Sequence, residues 1–222
     1  YNENRAYHFF LFLLSPVLGL YYAIKTRSRD TIRWGVFVFT AIYGSLITIS
    51  SLGGQLEGGK MYGSDGAEHW YEVYQHYQYL NFSVWWKELI AILSLAPKDT
   101  TNDDVYIHIL SYLIGIFNIP GLFMTAVAVI YAYFYSGAIV KLLSYVNWDF
   151  KRNKFYIIFF SVILLLWKSP LDMQTVRTWT GMWVLIYAVL SYYETKKKKY
   201  LLLALTPPLI HIGFSALAIP VW

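Results

Sequence analysis

The chain has no cysteine among its 222 residues, and only 14% of them are charged. The first absence excludes a disulfide-stapled secreted domain, an iron–sulfur protein and a cysteine-ligated zinc site. The second excludes an ordinary soluble domain, whose surface needs about 25% charged residues. A disordered chain is excluded as well, because 57% of the residues are hydrophobic and 20% aromatic. There is no glycine-rich phosphate loop of either nucleotide-binding type and no nucleophile elbow, which argues against a soluble nucleotide as substrate. No internal repeat recurs, and no pair of broken helices stands in two matching halves, as an inverted-repeat transporter requires. The net charge of +5 comes from short basic tracts between apolar runs, not from a basic patch interleaved with stacking aromatics, so no nucleic-acid partner is expected.

What is present is a succession of apolar runs, with a mean hydropathy of +0.42. A helix needs about 20 apolar residues to cross the hydrocarbon core of a bilayer. Six candidate spans cover about Tyr7–Ala23, Trp34–Leu52, Gly121–Leu143, Phe155–Trp167, Thr178–Tyr193 and Tyr200–Val221. This arrangement puts twelve Lys and Arg residues on one side, against Asp30, Asp149 and Glu194. The other side carries Arg5, Lys60, Lys87, Lys98, Lys168 and Arg177 against ten acidic residues. By the positive-inside rule the basic tracts around Lys25, Lys151 and Lys196 are cytoplasmic and the acidic segments exported. The first apolar run leads into another span, so it reads as a span and not as a cleavable signal. The fold expected is an all-α polytopic membrane protein with about six transmembrane helices, a single membrane domain over 1–222. Residues 53–120 form a long exported loop containing interfacial helices.

Two helices are expected in that loop. Val84–Leu95 sets Trp85, Trp86, Leu89, Ile92 and Leu93 beside Lys87 and Glu88, the pattern of a helix lying in the headgroup layer. Val105–Phe117 follows Asp103 and Asp104, which suit a helix N-terminus. In it His108, Ser111, Tyr112 and Gly115 make a polar stripe opposite Ile109, Leu110, Leu113 and Ile114. Were that segment to cross, the tracts at Lys151 and Lys196 would both move outside, so it lies on the outer surface or dips in without crossing.

Four residues stand out for chemistry. Arg177 follows Lys168-Ser-Pro-Leu-Asp-Met-Gln174-Thr-Val where the fourth span returns into the fifth, on the side poor in positive charge. A boundary guanidinium can simply snorkel to water. Its planar fork also matches two phosphate oxygens at any relevant pH, with Lys168 bordering the same turn. His211 lies midway along the sixth span, after Pro207-Pro208 and four residues before Ser215. It is either hydrogen-bonded to a neighbouring helix or lines a site. Asp65, in Gly63-Ser-Asp-Gly, is a solvated loop acid, or a general base or clamp on sugar hydroxyls. His69, Glu72 and His76 would share a helix face, a spacing that permits zinc, but the surrounding tyrosines and Trp70 favour a plain interfacial helix, and no metal is expected. Asn81-Phe82-Ser83 matches a glycosylation sequon, a short and weak pattern.

The order of these features resembles the EpsG family of Wzy-like polysaccharide polymerases. Two opening spans with a basic turn are followed by Gly63-Ser64-Asp65 with Tyr71, then by Asp104-Val105-Tyr106 opening a surface helix. Next come Arg177 at the mouth of a span ending in Lys196–Lys199, and His211 with Ser215 in the following span. The chain departs from the family pattern in having Thr178 after Arg177, three residues between His211 and Ser215, and Lys60 in place of an arginine before the glycine–aspartate element. The family continues with further spans, so the chain is expected to be C-terminally truncated.

The resemblance implies a glycosyltransferase of the bacterial inner membrane that joins undecaprenyl-pyrophosphate-linked oligosaccharides at the outer face. Arg177 would neutralise the leaving pyrophosphate, with Lys168 beside it, and Asp65 or His211 would be the base. Tyr71, Asp104, Tyr106, Gln174 and Ser215 would bind substrate. No cofactor is implied. The partners implied are lipid-linked donor and acceptor, membrane lipid and a chain-length regulator protein. A flippase for the same lipid-linked sugar, or a membrane acyltransferase using His211, are the competing expectations.

Overall fold

A computed structural model describes residues 29–48, 50–57, 60–96, 104–119, 121–145 and 173–215, with a few positions between 10 and 22. The expected spans over 7–23 and 155–167, and Lys168, lie outside the described residues apart from those few positions. The described chain is mostly helical, in keeping with the all-α expectation. Three long helices make its centre: α1 (Arg29–Ser45), then, past a long intervening stretch, Leu122–Tyr145 and Thr178–Thr195.

Between α1 and the second long helix the chain forms a short hairpin, β1 (Gln55–Glu57) with β2 (Lys60–Tyr62), antiparallel with Leu56 opposite Met61. α2 (Asp65–Gln75) follows, its first turn carrying Asp65 and Glu68, which suit the positive end of the helix dipole. α3 (Phe82–Leu93) is capped by Asn81, whose side chain accepts the Ser83 N–H at 3.1 Å. The residues of the glycosylation sequon are thus used as a helix cap. α4 (Val105–Ile116) comes next, and α5 (Leu122–Tyr145) is apolar all round. Such a helix belongs in an interior. It is the one described helix long and apolar enough to cross a membrane, and 67% of its apolar stretch is buried within the protein.

α6 (Thr178–Thr195) packs on α5, and Trp183 donates its indole N–H to the buried Tyr131 hydroxyl at 2.9 Å. Arg29 at the start of α1 pairs with Glu194 at the end of α6 at 3.3 Å, and Lys141 near the end of α5 pairs with the same carboxylate. α1 therefore runs antiparallel to α5 and α6, and those two run parallel. This end of the bundle is basic. It includes the exposed Lys196, Lys197, Lys198 and Lys199, with Lys196 over the Tyr193 ring.

Two expectations are corrected. The sixth span is not one helix in its described part. It breaks into α7 (Lys198–Ala204), α8 (Pro207–Ile210) and a single 3-10 turn over Ile212–Phe214. Proline has no N–H to give and its ring clashes with the carbonyl four residues back, so Pro207-Pro208 start a new helix after Thr206 instead of continuing the old one. His211 accordingly sits in extended backbone, φ −154° and ψ 120°, and not mid-helix. The second span, expected over Trp34–Leu52, begins earlier and ends at Ser45, with Ser50–Leu52 a 3-10 turn.

On α4 the stripe has the expected composition but an orientation opposite to that of a water-facing helix. His108 and Ser111 are fully buried, whereas the apolar face is divided, with Leu110 and Ile114 buried and Ile109 and Leu113 exposed. Phe82, Ile90 and Leu93 of α3 are exposed as well. His108 is held by Tyr77 (2.9 Å at Nδ1) and by the Trp85 carbonyl, to which its Nε2–H donates at 3.1 Å. Trp85 stacks flat on the His108 ring. Gly115 lets α4 approach the Tyr77 carbonyl: a Cβ there would lie 2.7 Å from that oxygen.

Candidate active site

Four segments converge at the end of the bundle away from the lysines. α2 contributes Asp65, His69 and Glu72, which at spacings of four and three residues share one helix face. α4 contributes Asp104, its N-cap residue. Arg177 is the residue before α6, and the break after α8 supplies His211 and Ile212.

Arg177 sits between two carboxylates. Its Nη2 donates to Asp65 Oδ1 at 2.6 Å and its Nη1 to Asp104 Oδ2 at 2.8 Å. The guanidinium has five N–H donors, and these bonds use two of them. Its side chain remains 28% exposed, so the fork is open to an incoming group.

Asp104 is the centre of the arrangement. Its side chain is 1% exposed, and it makes no cap bond to its own helix. Oδ2 takes Arg177 and also lies 3.4 Å from His211 Nδ1, while Oδ1 accepts the Ile212 backbone N–H at 2.9 Å. A buried carboxylate needs such donors to offset the loss of water. Because a carboxylate only accepts, His211 Nδ1–H is the donor in that contact, and Nε2 is the ring's other nitrogen. Gly213 leaves that nitrogen uncovered: a Cβ there would stand 3.2 Å from Nε2.

Asp65 is backed by a second cation. His69 Nε2 is 3.3 Å from the same Oδ1 that Arg177 uses, and Nδ1 donates to Glu72 Oε2 at 2.9 Å. Burial pushes the Asp65 carboxyl up, but the neighbouring His69, and then Arg177, outweigh it and hold the group at about 2. Burial likewise pushes His69 down, and Asp65 and Glu72 outweigh it, raising the imidazole to about 9. At neutral pH Asp65 is therefore a carboxylate with weak proton affinity, and His69 is an imidazolium.

The packing that brings these groups together uses small residues. Gly66 lies under the Gln174 carbonyl, where a Cβ would sit 3.0 Å from the oxygen, and this seats α2 on the segment leading to Arg177. Gly181 on α6 receives the Phe214 ring, which holds the His211 turn in place.

Of the expected substrate-binding residues, Asp104 joins the cluster directly. The buried hydroxyl of Tyr106 lies beside Thr180 on the first turn of α6. Gln174 is half-buried two residues into the segment that carries Arg177, and Tyr71 is half-buried on α2 without a polar bond to the cluster. Ser215 is exposed and makes no bond to His211. His76 turns to Glu88 on α3, at 3.9 Å, and does not join His69 and Glu72. Sequence reasoning set His69 and Glu72 aside. Their spacing from Asp65 on one helix was the signal that placed them here.

No family model, curated protein or solved structure matches the chain.

Proposed function

We propose that the protein is a polytopic membrane glycosyltransferase that joins lipid-linked oligosaccharides, as the resemblance to the EpsG family implies, with its site on the exported face. One observation carries this reading. Arg177, Asp65, Asp104 and His211, quoted for the resemblance from places up to 146 positions apart in sequence, lie in one bonded cluster. The charge distribution supports the setting, with lysines at one end of the bundle and the cluster at the other. The outward apolar surface of α3 and α4 suits a helix pair resting in lipid.

In this reading the donor's pyrophosphate binds the exposed side of the Arg177 fork. Of the two bases left open by the sequence, His211 is favoured over Asp65, because its Nε2 is uncovered and its Nδ1–H is fixed by Asp104. The acceptor hydroxyl loses its proton to Nε2 as its oxygen bonds to the anomeric carbon. The bond from that carbon to the undecaprenyl pyrophosphate breaks, and the leaving group departs with the electron pair into the field of Arg177. Asp104 couples the two roles by orienting both side chains.

The test is chain elongation in vesicles from lipid-linked donor already on the accessible face. Arg177→Ala should abolish polymer, a loss of at least about 100-fold as for a removed oxyanion donor, with membrane insertion unchanged. Long chains built by the Ala variant would overturn the mechanism, and no elongation by the wild-type protein would favour a flippase.

A further inference from the structure

Arg177 is engaged by the two carboxylates on either side of it, so an anionic headgroup that reaches its exposed side and takes both Nη groups as a fork must displace at least one of them. Asp104 is fixed by two further donors, the His211 ring and the Ile212 N–H. Asp65 is the partner that can move. Its side chain is 19% exposed against 1% for Asp104. If it leaves Arg177, its charge must still be met, since a half-buried carboxylate abandoned by its cation is destabilising. The group standing ready is His69. Its ring is nearly buried, Glu72 fixes it from behind at 2.9 Å, and its Nε2 lies 3.3 Å from Asp65 Oδ1. That Nε2 is buried and has no aligned acceptor among the described residues. A small rotation of the Asp65 carboxylate away from Arg177 would supply one.

We propose that His69 is a positioning residue: when the pyrophosphate of a lipid-linked sugar takes over the Arg177 fork, Asp65 is handed from Arg177 to the His69 imidazole. The inference rests on the reading of Arg177 as the pyrophosphate-binding cation. It assigns Glu72–His69–Asp65 as a relay that keeps Arg177 sheathed by carboxylate in the empty site and releases it to the substrate. No bond is made or broken beyond hydrogen bonds.

The experiment measures binding of undecaprenyl pyrophosphate, with undecaprenyl monophosphate for comparison, to the full-length protein in detergent. His69→Gln should weaken pyrophosphate binding about tenfold, the size of one charge-assisted contact. Adding Asp65→Asn to His69→Gln should restore binding to within about threefold of wild type, because a neutral amide no longer competes for Arg177. Asp65→Asn alone should bind at least as tightly as wild type, and this arm decides the matter if His69→Gln does not fold. Wild-type binding by His69→Gln would overturn the proposal. So would a double variant as weak as His69→Gln, which would make His69 a purely structural residue, or a loss of binding in Asp65→Asn. Unchanged binding in Arg177→Ala would instead overturn the underlying reading of Arg177.

Discussion

Asp65 and His69 give the residue scale its clearest consequence, because the two shifts act in opposite pH windows. Asp65 has a lowered value, so its share of stability is present above its ordinary 3.8 and is lost only as pH falls through about 2. His69 has a raised value, so its share is complete below 6.5 and disappears as pH rises through about 9. Thermal unfolding of the detergent-solubilised protein should therefore show a falling melting temperature between pH 6.5 and 9. In His69→Gln that slope should be absent, and the protein should be less stable at pH 6 by about 1–3 kcal/mol, less than a fully buried broken pair because Asp65 and Glu72 are partly exposed. A wild-type melting temperature flat across that window would contradict the imidazolium. Arg177, Asp65 and His211 were visible in the sequence because each is a polar group set in apolar or oppositely charged surroundings. Asp104 was legible as a helix cap, which is a local property. Its rotation away from its own helix was not legible, because the donors that draw it lie 73 and 108 residues further on.

The break between α8 and the 3-10 turn decides what His211 can do. Extended backbone at His211 lets its ring reach Asp104 while Ile212 N–H bonds the other oxygen of the same carboxylate. Gly213 keeps Nε2 accessible, so Gly213→Ala should cut elongation by about tenfold or more through a methyl group set against the ring, while pyrophosphate binding stays close to wild type. Equal loss of binding and turnover would place His211 in binding and not in proton transfer. Composition alone hid this break: 200–221 is apolar throughout, and hydropathy does not distinguish one helix from three short pieces. The proline pair was the available signal, and it marks a helix start. The hairpin was likewise announced only by Gly53-Gly54 and Gly58-Gly59, around strands of three residues each. Helices α5 and α6, by contrast, fall within two residues of their expected ends, because long apolar stretches bounded by polar residues leave few alternatives.

For the whole molecule, the separation of the two ends is the property to measure. α6 spans 18 residues, about 27 Å at 1.5 Å per residue, between Arg177 and the lysine run. The absence of native cysteine makes single-cysteine labelling direct. A cysteine at the exposed position 57 should react with an impermeant maleimide in intact cells, and one at the exposed position 197 should react only after the cells are opened. The reverse pattern would put the cluster on the cytoplasmic side and remove its access to exported substrate.

The cluster draws on both halves of the chain, and this has a consequence for its birth. During synthesis Asp65 and Asp104 emerge long before their shared cation, and the ring and amide that complete the centre follow another 34 and 35 positions later. Until then, among the described residues, Asp104 has no counter-charge and Asp65 has only that of His69. The full set of contacts at this end can close only when the last contributor arrives.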